Sequence, residues 1–237
     1  MGFVLKGTIV NGAAIIVGGL LGVLLGGRIP ERIKALIMQG IALAVLVIGM
    51  QMALQMQNAV LIIFSLVLGG ILGEIIGLDA LLQRAGAWLE RRAARTRSGL
   101  ARAFVYATLV YVVGAMAVTG ALESGLLGQH QTLYVKAILD GFTAIAFAAT
   151  MGVGVCLASV PVLLYQGSIA LAAGLLQPFL SPAVLNELTA VGGILIIAIA
   201  VNLLELKEIK VANFLPAFFI VPLWLIVLLP LTAGFSF

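Results

Sequence analysis

The sequence predicts an all-α polytopic membrane protein of about eight transmembrane helices, and composition and segment length are the grounds for that prediction. Hydrophobic residues make up 63% of the chain and charged residues only 9%, whereas an ordinary soluble domain carries roughly 25% charged residues. Apolar runs of about 20 residues, enough for a helix to cross a hydrocarbon core, recur along the whole chain. Helices are expected because the alternating pattern of transmembrane barrel strands is absent.

Charged or Pro/Gly-rich segments separate the apolar runs from one another. The predicted spans are 8–27, 33–54, 58–77, 102–122, 134–157, 162–177, 184–204 and 211–232. The stretch 134–177 is too long for one span, and its break is predicted at 159–161 because Pro161 lacks the N–H that a helix interior needs.

The basic residues predict the orientation of the chain. They concentrate in three connections that lie on one side of the membrane if there are eight spans. These are Arg28, Arg32 and Lys34 after the first span, Arg84, Arg91, Arg92, Arg95, Arg97 and Arg102 after the third, and Lys207 and Lys210 after the seventh. Cytoplasmic loops are enriched in Lys and Arg. We therefore expect these loops in the cytoplasm, both termini outside, and a multi-pass protein of the cell membrane.

Self-comparison of the sequence predicts an internal repeat of three spans. Residues 30–52 align with 182–204 without a gap, and a three-residue adjustment matches Asn11 with Gln166 and Asn58 with Asn213. The expected organisation is a single membrane domain, 1–237. It consists of repeat one at 8–77, an interfacial helix at 78–95, inserted spans at 102–157 and repeat two at 162–234. This 3+2+3 arrangement gives the two repeats opposite orientations, an architecture that recurs in secondary transporters.

Several sequence motifs carry a resemblance to a known family. They are GTIVN at 7–11, RIPER at 28–32, GAMAVTG at 114–120, LYVKAILDG at 133–141, MGVG at 151–154 and LLYQGS at 163–168. With these motifs the chain resembles the YdfK/YqgA family of bacterial inner-membrane proteins of unknown function, over essentially its whole length. The resemblance implies a location in the bacterial cytoplasmic membrane and leaves substrate and mechanism open.

An ionisable pair inside a predicted span is the leading candidate for a site. Asp140 lies within the fifth span, and Lys136 lies on the same helix face four residues earlier. Charged side chains within spans are costly and mark either a functional site or an internal pair. The alternative to a substrate or ion site is a structural pair near the outer interface, with Lys136 extending toward water.

Polar residues near Pro161 complete the candidate site. Tyr165, Gln166 and Ser168 follow the proline, and Gln166 is the repeat counterpart of Asn11. Together with the ion pair they could line a polar pocket for a small solute or cation. The alternative for each of them is a hydrogen bond between helices, typically worth about 0.6 kcal/mol.

Other residue types predict no chemistry. We expect Cys156, the one cysteine of the chain, to be a small buried apolar residue and His130, in the loop 123–132, to be a surface residue. No metal motif, nucleotide-binding loop or nucleophile–base set is present. The protein is therefore expected not to be an enzyme, to use no cofactor or metal, and to bind no nucleic acid.

The features together favour a secondary transporter of a small solute or ion that works by alternating access between inverted repeats. An oligomeric channel or pore is one alternative, and a membrane scaffold or signalling protein without transport is another. The expected partners are the lipid bilayer and an unidentified small solute or ion. Small-residue helix faces would also permit a homodimer.

Overall fold

The computed structural model describes residues 4–81, 84, 99–112 and 115–225. Within these residues every regular element is a helix. The helices are α1 (Lys6–Gly26), α2 (Glu31–Ala53), α3 (Ala59–Ile76), α4 (Leu100–Val112), α5 (Ala115–Leu127), α6 (Gln131–Met151), α7 (Gly154–Leu157), α8 (Ser159–Leu171), α9 (Ala173–Leu176), α10 (Pro182–Leu203) and α11 (Ala217–Leu223), with 3₁₀ turns at Gln177–Phe179 and Val211–Phe214.

The predicted fold class is confirmed. Six helical segments in the described part of the chain are long and apolar enough to cross a membrane: α1, α2, α3, α6, α7 together with α8, and α10. Helices α4 and α5 form a seventh candidate span, which is bent by 60°. The predicted last span, 211–232, begins with a 3₁₀ turn and α11, and its residues 226–232 lie outside the described part of the chain. Most of the predicted interfacial helix 78–95 likewise lies outside the described residues.

Helix α1 distributes its residues as a membrane helix does. Its buried residues are mainly glycines and polar residues, whereas Val17 and Leu24 are 57% and 70% exposed. Lipid tails are as apolar as leucine, so large aliphatic side chains gain nothing by leaving them. Small residues instead let neighbouring helix backbones approach closely. The side chains that α1 exposes therefore face lipid.

Helices α1 and α6 form the most closely packed pair at the centre of the bundle. They run parallel, since Gly7 lies against Leu133 at one end and Gly26 lies against Ala149 at the other. Between these ends Gly18 and Gly22 lie almost in contact with backbone carbonyl oxygens of α6. The absence of a side chain at these positions brings the two backbones together.

Three further helix pairs pack with opposite chain directions. Helix α1 is antiparallel to α7 and α8, because Gly19 lies against Cys156 and Gly12 against Leu163. Helix α2 is antiparallel to α10, and α3 is antiparallel to the segment that contains α11. These are the three pairs of spans that the repeat alignment matches. The inverted repeat itself stays a prediction.

The predicted chain break at Pro161 is wrong. The chain turns instead at Gly152 and Val153, which join α6 to α7 in a tight helical hairpin. Gly152 has a φ of 88° and a ψ of −166°, a conformation that is essentially restricted to glycine. Pro161 lies in the first turn of α8, where backbone N–H groups have few intrahelical partners and proline is tolerated. The stretch 134–177 still holds two spans, but they meet at Gly152.

We expect Gly22→Ala to destabilise the protein by about 1–3 kcal/mol, because the added Cβ would overlap the carbonyl oxygen of Ile145 and push α6 away. Gly40→Ala is the matched control, since a Cβ at Gly40 meets nothing within 4 Å and alanine is the better helix former. Thermal unfolding of the purified proteins in detergent measures both effects. Equal melting temperatures for the two variants would contradict the close packing of α1 on α6.

Gly152→Ala tests the hairpin turn. We expect it to cost about 1–3 kcal/mol, because alanine is strained at the backbone angles of Gly152. Gly174→Ala, at a helical glycine with open space around its Cβ position, should leave the melting temperature unchanged or raise it slightly. Thermal unfolding in detergent again distinguishes them. A Gly152→Ala variant as stable as wild type would place the turn elsewhere.

Candidate functional site

Four of the predicted site residues meet at the contact between α1, α6 and α8. Asn11 and Gln166 are each 0% exposed, and Lys136 and Asp140 are each 6% exposed. The parallel packing of α1 on α6 brings Asn11 to Asp140, and the antiparallel packing of α1 on α8 brings Asn11 to Gln166. Asn11 therefore lies between the other two helices and links them.

Lys136 and Asp140 form a buried ion pair within α6. The Lys136 Nζ atom lies 3.0 Å from Asp140 Oδ1 and 2.9 Å from Oδ2. Residues four apart on a helix lie on the same face, which allows this contact. Because a buried charge is costly unless it is paired, the lysine compensates the carboxylate.

Asn11 extends the ion pair into a chain of hydrogen bonds. Its Nδ2 group donates to Asp140 Oδ2 at 3.0 Å and to Gln166 Oε1 at 3.4 Å. A carboxylate only accepts hydrogen bonds, so Asp140 requires the amide nitrogen of Asn11 to face it. That orientation in turn requires the oxygen of Gln166 to face Asn11. The charge of Asp140 therefore sets the direction of both amides.

This arrangement leaves two buried polar atoms without partners. Asn11 Oδ1 and Gln166 Nε2 have no hydrogen-bond partner among the described residues. One is an acceptor and the other a donor, and both are buried. Buried polar groups are nearly always hydrogen-bonded, so an unpaired amide oxygen beside a carboxylate indicates an unfilled capacity to bind. The cluster is chemically suited to a small cation or a small polar molecule.

Apolar layers border the cluster on two sides. One helical turn away, toward the α6–α7 hairpin, lie Ile15 on α1, Ala144 on α6 and Val162 on α8, each 0% exposed; all three belong to one apolar core. One turn in the other direction Ala170 belongs to a second apolar cluster, which includes Leu122 of α5. The hairpin-side layer draws on all three helices of the cluster, whereas the second layer is formed by α5, α8 and α9, and on that side α1 carries the buried polar residue Thr8.

Tyr165 and Ser168 do not join the cluster. Tyr165 is half-buried and packs in the second apolar cluster, beside Leu122 and Ala170. Ser168 is exposed, and its hydroxyl donates to the Tyr165 carbonyl oxygen of its own helix at 2.8 Å. The side chains flank Gln166 in sequence but point in other directions because successive helical residues are rotated by about 100°.

His130 is not a surface residue, contrary to the prediction. It is 8% exposed, and its Nδ1 atom lies 2.7 Å from Ser124 Oγ. The Ser124 hydroxyl donates to the Val4 carbonyl oxygen at 2.7 Å, so it accepts from His130 Nδ1–H. The residue therefore ties the start of α6 to α5 and to the start of the described chain.

Glu187 is a buried carboxylate that the sequence reasoning missed. It is 2% exposed, and its Oε1 atom accepts hydrogen bonds from the backbone N–H groups of Gln57 at 3.1 Å and Asn58 at 2.8 Å. These bonds tie α10 to the loop that begins α3. The sequence signal for this site is that Glu187 is an acidic residue inside the predicted span 184–204, close to its start.

A second polar region lies at the opposite end of the bundle. A cavity of about 550 Å³ there is lined mainly by α4 and the loop after α10, including Arg102, Asn202 and Lys207. Lys210 pairs with Glu74 at 2.9 Å, and this contact raises the pKa of Lys210. Exposed ion pairs of this kind contribute little to stability, so this region is mainly a solvated, charged loop surface.

The comparisons with known proteins support the resemblance drawn from the motifs. A family described as protein of unknown function (DUF554) matches residues 6–226. The chain is 30% identical to the uncharacterized protein YqgA of Escherichia coli K12, over 97% of each chain. It is 31% identical to the uncharacterized membrane protein YdfK of Bacillus subtilis 168, over 94% of this chain and 96% of the relative. No solved structure matches.

Lys136→Met tests the ion pair. We expect it to destabilise the protein by about 3–5 kcal/mol, because it leaves Asp140 buried without a compensating charge. Lys136→Met combined with Asp140→Asn removes both charges and should be more stable than Lys136→Met alone. Thermal unfolding in choline chloride compares the two. Equal stability of the single and double variants would show that the two side chains do not interact.

Proposed function

Since the chain belongs to the DUF554 family, and its relatives YqgA and YdfK are uncharacterised, we propose that this membrane protein is a secondary transporter of a small solute or ion. The buried cluster of Asn11, Lys136, Asp140 and Gln166 is its binding site. We further propose that it lies in the bacterial cytoplasmic membrane with both termini outside, and that it is neither an enzyme nor a nucleic-acid-binding protein.

The apolar layer that seals the polar cluster on its hairpin side is the observation that carries this proposal. A pore that conducts continuously needs a polar path from one side to the other, whereas a carrier passes through states in which the site is sealed. The layer of Ile15, Ala144 and Val162 covers one side of the site. The apolar cluster around Ala170 borders the other side, where Thr8 and Lys136 are polar. This arrangement fits a carrier state in which the site is sealed from the hairpin side and lies nearer to the opposite side.

The packing of the repeats supports the same mechanism. Asn11 and Gln166 occupy matching positions in the two predicted repeats, and they contact each other directly. A pseudo-twofold axis in the membrane plane would pass close to this contact. Inverted-repeat transporters bind substrate where the two repeats meet, and they expose the site to alternate sides as one repeat moves against the other. A shift of α1 relative to α6 and α8 would separate one apolar layer at a time.

Flux measurements test the proposal on intact protein reconstituted into liposomes. The vesicles are fixed on a solid-supported membrane and exchanged into alkali chlorides, ammonium chloride, mixed amino acids and mixed organic acids. We expect a transient, saturable current with at least one of these probes. Asp140→Asn should abolish that current because the site loses its charge, while the protein remains folded because the flexible Lys136 side chain can move its unpaired ammonium group toward the nearby end of α6.

Glu31→Gln is the matched control. It also removes one carboxylate, but that side chain is 84% exposed and contacts Lys34 at the start of α2. We expect it to retain the wild-type current. Sustained single-channel currents would identify a pore instead of a carrier. Unchanged flux in Asp140→Asn would remove Asp140 from the site.

A further inference from the structure

We infer that the ligand of this site is a small monovalent metal cation, such as Na⁺, which binds Asp140 and Asn11 in competition with the Lys136 ammonium group. The inference deepens the transport proposal and rests on the same site. A measurement of cation binding tests it without any measurement of transport, because the inference concerns which cation contacts the Asp140 carboxylate. In the structure Lys136 occupies that position.

The charges of the cluster favour a monovalent ion. Lys136 and Asp140 neutralise each other, so a ligand that displaces the ammonium group must bring a single positive charge to keep the buried carboxylate compensated. A divalent ion would leave an excess charge in an apolar surrounding. In the described part of the chain no three His, Cys, Asp or Glu side chains are grouped so as to hold a metal ion. One carboxylate with neutral oxygens matches one unit of charge.

The unpaired atoms favour a metal ion over a larger solute. Hard cations prefer carboxylate and carbonyl oxygens, and Asn11 Oδ1 is an unpaired carbonyl oxygen on the amide that already contacts Asp140. A water molecule bound to the cation could accept a hydrogen bond from Gln166 Nε2. The four side chains form one continuous chain in which each is within hydrogen-bond distance of the next, which leaves little room for an organic solute.

Lys136 is well placed to leave the carboxylate. It lies in the second turn of α6, which begins at Gln131, and helical side chains project toward the N-terminal end of their helix. Asp140 lies four residues farther along, and its own side chain projects back toward Lys136, so the contact does not hold the ammonium group deeper in the bundle. Once displaced, its flexible stem can carry the ammonium group to the nearby end of α6 and toward water. The cation and the ammonium group would then exchange places at Asp140.

Thermal unfolding of the purified protein in detergent tests this exchange. Wild type, Lys136→Met and Asp140→Asn are compared in NaCl, LiCl, KCl and CaCl₂ at constant ionic strength, with choline chloride as the reference. A cation that binds only the folded protein raises the melting temperature as its concentration increases. We expect such a rise with at least one alkali cation in wild type and none in Asp140→Asn.

Lys136→Met distinguishes competition from simple binding. It removes the competing ammonium group and leaves the carboxylate free, so the half-saturating concentration of the alkali cation should fall by about tenfold or more. The same cation should restore much of the stability that this variant loses in choline chloride. Weaker cation binding in Lys136→Met than in wild type would overturn the inference. Failure of that variant to fold in every alkali chloride would also overturn it, because a bound cation should replace the missing charge.

The remaining outcomes separate the inference from the transport proposal. The cation site would be overturned if only CaCl₂ raised the melting temperature. It would also be overturned if no cation raised the melting temperature of either wild type or Lys136→Met. Transport of another probe in liposomes would then leave the transport proposal standing. Conversely, an alkali-dependent rise that requires Asp140, together with no flux of any probe, would retain the cation site and contradict the transporter.

Discussion

The close approach of α1 to α6 is the constraint on which the rest of the structure depends. It requires Gly18 and Gly22 to carry no side chain where they meet the backbone of α6. The same contact, continued along α1, brings Asn11 against Asp140 and allows the amide to donate to the carboxylate. Packing and polarity are therefore inseparable here, because the glycines that bring the backbones together also determine which polar groups are buried.

The positions of the first three spans and of the span 184–204 followed well from the sequence because apolar length and charged ends decide them. The predicted spans 134–157 and 162–177 correspond instead to Gln131–Met151 and Gly154–Leu171. The predicted span 33–54 and helix α2, Glu31–Ala53, differ by two residues or fewer. The hairpin turn could not be predicted in the same way. Gly152 is one of 28 glycines in the chain, and a positive φ has no signature of its own. Pro161 was the stronger signal, but it falls in a first helical turn, where proline does no harm.

The site followed from the sequence wherever helix geometry sufficed. The spacing of Lys136 and Asp140 implies a contact within one helix, and the repeat alignment paired Asn11 with Gln166. Tyr165 and Ser168 are close to Gln166 in sequence, yet the helical period directs their side chains away from that of Gln166. The polar loop around His130 predicts an exposed side chain. Its burial depends on a three-way contact with Ser124 and Val4, which no local pattern encodes.

The two-residue connection at Gly152 and Val153 has a mechanical consequence. Two residues are too few to lengthen or shorten this link, so α6 cannot slide or tilt far unless α7 and α8 move with it. Asp140 and Gln166, which lie on the two arms of this hairpin, would then travel as one unit, and α1 with Asn11 becomes the element that they move against. The amide of Asn11 can therefore bond to both Asp140 and Gln166 only while the hairpin keeps its present position along α1.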